Sequence, residues 1–268
     1  MDRAAQLDAG DRNLVATLSH FARTNPEAVL EDDGRLLLFS LSRTWPGPYH
    51  NGVVRIDRTV GAEEVLERAR AFFAGRAPGH CVWIASHADG ALEGEVVAAG
   101  YVSVADPGTP RMALTERLGP AVAPAGVTLE EVTDEAGRRD FLDVTVDAYA
   151  ESFLPPEAAE AMLASVATLR GPAARAVVAR SGGRPVAAAM VVGDGGDTAS
   201  VQSVGTVHGA RNRGLGELCT RWAVEAGFGL GARVVVLEAS EAGEPVYRRM
   251  GFEEISRYRW CFGPPPPG

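Results

Sequence analysis

Residues 206–218 read T-V-H-G-A-R-N-R-G-L-G-E-L, between an alternating run (Ala199 to Val207) and a stretch bearing Leu215, Leu218, Trp222, Ala223 and Ala226. A strand that turns through a glycine-containing loop into an amphipathic helix restricts the chain to a layered α/β arrangement. Gly214 and Gly216 remove side chains where backbone N–H groups would approach an anion. The helix N-terminus adds unsatisfied N–H groups and a partial positive charge, and Arg211 and Arg213 add charge-assisted bonds. The pattern predicts a pyrophosphate site, against the plainer reading of a turn with two solvated arginines.

Other phosphate loops fit less well. A Walker loop requires Gly-Lys-Ser/Thr, and the chain contains no Lys. A dinucleotide fingerprint opens the first helix of a parallel unit, whereas this loop follows a meander. The loop therefore favours coenzyme A.

The elements around the loop extend the pattern. Val127 to Val132 alternates as a strand, and Thr133 is positioned to cap a helix with Leu142, Val146, Tyr149 and Phe153 on one face. Pro155 and Pro156 separate it from a helix carrying Ala159, Met162, Leu163, Val166 and Leu169. Ala174 to Arg180 and Pro185 to Val192 form a hairpin around Ser181-Gly182-Gly183-Arg184. After the loop and its helix come a strand (Arg233 to Glu238), a short helix and a last strand through Trp260. The expected order is β-α-α-β-β-β-α-β-α-β.

Gly, Pro and Ala dominate residues 119–126, which read as a linker. Upstream, H-C-V-W-I-A-S (80–86) can be laid on R-V-V-V-L-E-A-S ending at Ser240, and Gly100-Tyr101 answers Gly251-Phe252. A strand (Val53 to Asp57) and a helix (Ala62 to Phe73) also have counterparts, so the halves read as a diverged tandem duplication. Residues 1–12 are expected to be disordered or a short helix, and Gly263 to Gly268 an extended polyproline tail.

Composition bounds the function. At 268 residues the chain is about two domains long. A net charge of −9 disfavours nucleic acid and suits a neutral or cationic small molecule. No apolar run is long enough to cross a membrane, and the polar start lacks a secretory pattern, so a cytoplasmic protein is expected. The 3 Cys and 5 His are too scattered for a disulfide framework or a metal site.

At these residues the chain resembles the GNAT superfamily of acyl-CoA-dependent N-acyltransferases. Arg211, Gly214 and Gly216 match its R/Q-x-x-G-x-G/A motif, and Tyr247-Arg248-Arg249-Met250-Gly251-Phe252 matches its Tyr-x-x-x-Gly-Phe turn. The resemblance covers about residues 127–262 and implies an α/β fold of two GNAT-like mixed-sheet domains in tandem. The domains would span 1–120, a degenerate copy, and 126–268, the acetyltransferase. The family's substrate amine attacks the thioester of acetyl-CoA directly, without a covalent enzyme intermediate.

The resemblance also implies site roles. Val204, Gly205 and Thr206 would offer backbone groups to the pantetheine arm, and Arg211, Asn212, Arg213, Gly214, Leu215, Gly216 and Glu217 would hold the pyrophosphate. Ser240 stands where many relatives have an Asn that touches the cofactor arm. Tyr247 would be the general acid that protonates the departing thiolate, with a packing tyrosine as the competing reading. The general base stays unassigned among Asp194, Asp197, Glu151, Glu238, His208 and a water relay. In the first half Val96 stands where the second has Tyr247, and the R-x-x-G-x-G motif is missing. The W-P-G-P-Y-H-N-G segment (45–52) is read as a surface turn or a cover for the acceptor cleft. The function expected is acetylation of a small-molecule primary amine, with no metal and with a homodimer possible. A non-catalytic acyl-CoA sensor and a protein or peptide N-acetyltransferase are the alternatives.

Overall fold

The computed structural model describes residues 1–120, 122–152 and 154–263. Phe153 and the tail beyond Gly263 lie outside the described residues. The first half runs α1 (Arg3–Thr24), β1 (Val29–Asp32), β2 (Leu36–Ser40), β3 (Asn51–Arg55), α2 (Ala62–Phe73), β4 (Cys81–Ala85), α3 (Gly90–Ala98) and β5 (Val102–Leu114). The second runs β6 (Val127–Glu131), α4 (Glu135–Tyr149), α5 (Pro156–Met162), α6 (Val166–Leu169), β7 (Ala174–Ser181), β8 (Arg184–Gly193) and β9 (Thr198–Thr206). It ends with α7 (Leu215–Gly229), β10 (Val234–Glu238), α8 (Glu244–Arg249) and β11 (Glu253–Phe262).

All of these strands form one 11-stranded mixed sheet, ordered β1-β2-β3-β4-β11-β5-β10-β9-β8-β7-β6. The two halves exchange their last strands. Strand β5 pairs with β10 of the second half, while β11 pairs with β4 of the first. The exchanged strands also pair with each other, antiparallel from Glu253↔Ala113 to Phe262↔Val102. The linker at 119–126 thus falls between elements whose strands cross into one another's sheet.

The duplication read from the sequence has a topological counterpart. Each half holds one parallel pair, β3 with β4 and β9 with β10. The turns that follow α3 and α8 are alike. Gly100 and Gly251 take φ of 94° and 95°, the left-handed region that favours glycine. The Tyr101 N–H donates to the Val96 carbonyl at 3.3 Å, and the Phe252 N–H donates to the Tyr247 carbonyl at 3.0 Å.

Three local expectations need correction. The start of the chain is a 22-residue helix, capped by Asp2, because Leu14, Leu18, Phe21 and Ala22 bury one face against the sheet. It lies over strands of the second half, where Asn13 donates to the Val192 carbonyl at 3.1 Å and Thr17 bonds Ser200 at 2.9 Å. Helix α4 is capped by Asp134 rather than Thr133. Its buried face is Arg138, Phe141, Val144 and Thr145, one step round from the expected stripe, which leaves Leu142 and Val146 half-buried. The helix expected to carry Ala159 through Leu169 breaks at Leu163 into α5 and α6.

Two buried histidines join elements. His50 bonds the Ala158 carbonyl at 2.8 Å and ties the 45–50 loop to α5. His80 stacks on Phe73 at 4.3 Å and bonds Tyr101. Burial pushes both down to about 4 from 6.5. The folded chain therefore keeps both neutral, and their contribution is complete above pH 6.5 and lost as pH falls toward 4. We expect urea stability to fall over that window by at most about 1.4 kcal/mol per pH unit for each histidine. His50→Gln or His80→Gln should flatten the slope.

Candidate functional site

The parallel pairing of β9 with β10 ends at Ser200↔Val236, and the strands diverge beyond it. On its other edge β9 carries a bulge, since Ala188 pairs Gly205 and Met190 pairs Gln202. Ser203 absorbs the extra residue at φ 50°. The bulge and the divergence leave Val204 to Thr206 with no strand partner on the β10 side. The Tyr149 hydroxyl donates to the Val204 carbonyl at 2.9 Å and anchors the bulge to α4.

Two cavities meet at this gap. The first, about 1030 Å³, runs from the divergence to the start of α7. Gly214 stands at the N-cap of α7 with φ 74°, and no side chain caps the helix. The amides of Leu215, Gly216 and Glu217 are those an α-helix leaves without an internal acceptor. A Cβ on Gly214 would meet nothing within 4 Å, so the space before the helix is open. This cradle fits the pyrophosphate of a coenzyme A.

The second cavity, about 610 Å³, opens on the other side of the gap. Trp45 to His50 of the first half line it, with Trp260 and Phe262 of β11 and Val201, Gln202, Leu237 and Glu238 of the second. Tyr149, Val204, Ser240 and Tyr247 line both cavities.

Tyr247 is 8% exposed. A Cβ on Gly243 would stand 2.8 Å from its ring, so that glycine lets the ring lie over the turn. Burial pushes the Tyr247 phenol up to about 12, against a hydrogen bond with Thr220 that lowers it. The phenol is therefore protonated at neutral pH. Burial also raises Tyr149.

The floor of the second cavity is Glu238, whose side chain is 5% exposed. It accepts from Arg111 at 2.7 Å, Gln202 at 3.1 Å and Tyr49 at 3.4 Å. Arg111 is 1% exposed and also donates to the Gly10 carbonyl at 2.6 Å. A Cβ at Gly10 would stand 2.8 Å from the guanidinium, which is why α1 carries glycine there.

Residues 139–252 match the model of the Acetyltransferase (GNAT) family. The chain carries a GNAT acetyltransferase domain. By structure it is similar to the GCN5-related N-acetyltransferase from Kribbella flavida, at 25% identity and TM-score 0.69, with 96% of each chain covered. A GCN5-related N-acetyltransferase from Sphaerobacter thermophilus aligns at 18% identity and TM-score 0.63, over 95% of this chain and 91% of that one. A tandem GNAT protein from the clavulanic acid biosynthesis pathway aligns at 16% identity and TM-score 0.59, over 98% of each. The last two share the fold. No curated protein matches the chain.

Within the GNAT domain, the expected residues Val204, Gly205, Thr206, Arg211, Asn212, Gly214, Leu215, Gly216, Glu217, Ser240 and Tyr247 all line the larger cavity. Arg213 is exposed and lies outside that lining. Arg211 donates to Glu151 at 2.9 Å and to the Ala148 carbonyl at 3.1 Å, so the loop is braced on the end of α4.

The candidate bases separate. Asp194 caps its own turn through the Gly196 and Thr198 amides, and Asp197 pairs with Arg12 at 3.1 Å, both away from the gap. His208 is exposed between Asp147 and Glu151, which raise its pKa, Glu151 most. Glu151 lines the larger cavity but is engaged by Arg211 and His208. Glu238 alone among the four carboxylates lines the second cavity.

Sequence reasoning missed Arg111, Gln202 and Tyr149 as site residues, and reached Tyr49 only within the 45–52 segment read as a surface turn or a cover for the acceptor cleft. Only an Arg directly before the apolar run Met112-Ala113-Leu114 and a Gln inside an alternating strand hinted at buried polar contacts. Arg111→Met should destabilise the fold by about 3–5 kcal/mol in urea unfolding, because Glu238 is left buried without its cation. The double variant with Glu238→Gln should recover much of that loss.

Also among the described residues, no helix is long and apolar enough to cross a membrane.

Proposed function

We propose that the chain is an N-acetyltransferase that moves the acetyl group of acetyl-CoA to the primary amine of a small molecule. The observation that carries this reading is the junction of two cavities at a buried, protonated Tyr247. The larger fits a long phosphorylated carrier and the smaller a compact acceptor.

Acetyl-CoA supplies the activated thioester, and the chain supplies its placement. The amides at residues 215–217 hold the pyrophosphate, and Arg211 adds a cation once it exchanges Glu151 for phosphate. The free edge at Val204 to Thr206 takes the pantetheine arm, where one N–H polarises the thioester carbonyl. Ser240, at the mouth of both cavities, faces the same arm. As the amine nitrogen forms its bond to the carbonyl carbon and the C–S bond breaks, Tyr247 gives its proton to the departing sulfur. The proton lost by nitrogen goes to Glu238, directly or through water.

Gly214→Glu should abolish coenzyme A binding in a calorimetric titration, since it adds charge and bulk and forces a side chain into a left-handed φ. Unchanged affinity would remove the loop from the site. Tyr247→Phe should lower turnover by about 10²-fold and leave the KM for acetyl-CoA nearly unchanged. Wild-type rates in that variant would make Tyr247 a packing residue.

A further inference from the structure

The smaller cavity has a lining that discriminates among amines. Its walls are mainly aromatic and aliphatic: Trp45, Tyr49, Trp260 and Phe262 face it with Met162 and Leu237. Among the described residues Glu238 is the one charged side chain in the lining, and Arg111 already engages one of its oxygens. Three donors reach this carboxylate, which leaves room for about one more hydrogen bond.

The walls are held in advance of any ligand. Trp83, 1% exposed behind the cavity, donates from its indole N–H to the Pro48 carbonyl at 3.1 Å. Its ring meets Tyr49 edge-on at 5.2 Å and Trp260 edge-on at 5.6 Å. His50 fixes the far end of the same loop on α5. An aromatic surface that is fixed before binding saves the ordering entropy that a flexible apolar lid would cost.

We propose that the acceptor is an aromatic monoamine: a flat ring system on a short arm, with its single nitrogen at Glu238 and Gln202 and its ring against the Trp45–Tyr49 loop and Trp260. This rests on the reading of the larger cavity as an acetyl-CoA site. A volume of about 610 Å³ holds a ring system with a short arm. A polyamine would bring further ammonium groups to a lining with one carboxylate, itself already engaged by Arg111, and an aminosugar would set its many hydroxyls against walls that are mainly aromatic and aliphatic. A peptide would bring a polar backbone to the same wall.

The test uses the full chain. Calorimetry with coenzyme A alone comes first, because absent binding would end the cavity assignment and this proposal with it. Thiol release from acetyl-CoA is then followed with tryptamine and phenethylamine against spermidine, glucosamine and a lysine-bearing peptide. We expect kcat/KM for the two arylalkylamines to exceed the others by ~10²-fold or more. Coenzyme A binding with faster release from spermidine, glucosamine or the peptide, or with no release from any amine, would overturn the aromatic class and leave the cofactor site standing. Trp45→Leu, at the half-buried lip, should raise the KM for tryptamine by ~10-fold while the KM for acetyl-CoA and the Tm stay as they are. An unchanged tryptamine KM would remove the aromatic wall from recognition.

Discussion

The guanidinium of Arg111 and the carboxylate of Glu238 face each other as register partners on β5 and β10, one strand from each half of the chain. Neither group is stable in the interior alone, so each requires the other half to be folded around it. The pair reaches outward to the Gly10 carbonyl on α1, to Gln202 on β9 and to Tyr49 on the first-half loop. Arg111 also lies over the ring of Tyr258 on β11, 5.1 Å from its centroid. Four separate segments are thus aligned on one ion pair beside the acceptor cavity. The arrangement ties the placement of Glu238 to the completion of the whole sheet.

Strand exchange makes that dependence general. Because β5 lies between β10 and β11, the sheet of the second half is incomplete without the first, and β11 completes the first in turn. A linker between independent units would have placed the acceptor wall on a movable neighbour. Here the wall residues Trp260 and Phe262 sit on a strand that pairs directly with β4. Trp83 on β4 then packs against both Trp260 and the Tyr49 loop. The aromatic wall is built into the sheet itself.

Much of this was legible in the sequence because it is local. The Ser181–Arg184 hairpin closes as read, with Gly182 and Gly183 at φ 57° and 76°. The loop into α7 shows itself through Gly214, which only a left-handed cap requires, and the Tyr247–Gly251 spacing through a left-handed stop. What escaped is non-local. The exchange of β5 and β11 leaves no periodicity, since a strand carries the same pattern whichever neighbour it pairs with. Arg111 reads as a surface charge until Glu238, 127 residues away in sequence, is placed opposite it. The full length of helix α1 escaped because its apolar face is interrupted by Asn13 and Thr17, which are buried for contacts with the sheet.

The first half shows how the same frame loses one role and keeps another. Where α7 begins at a left-handed Gly214, α2 begins at Gly61 with φ −76° and carries Glu63 and Glu64 in its first turn, charges that oppose an anion. Val96 occupies the turn position of Tyr247, so the phenol of that turn has no counterpart in the first half. Ion pairs close in on that gap. Asp89, 2% exposed at its side chain, holds Arg55 at 2.5 Å and Arg58 at 2.8 Å, and Arg58 reaches Asp11 of α1 at 2.7 Å. A half freed from phosphate binding can present its loops to the neighbouring gap, and the Trp45–His50 loop does so. The asymmetry of the pair, with a cradle and phenol on one side and an aromatic wall on the other, follows from that division.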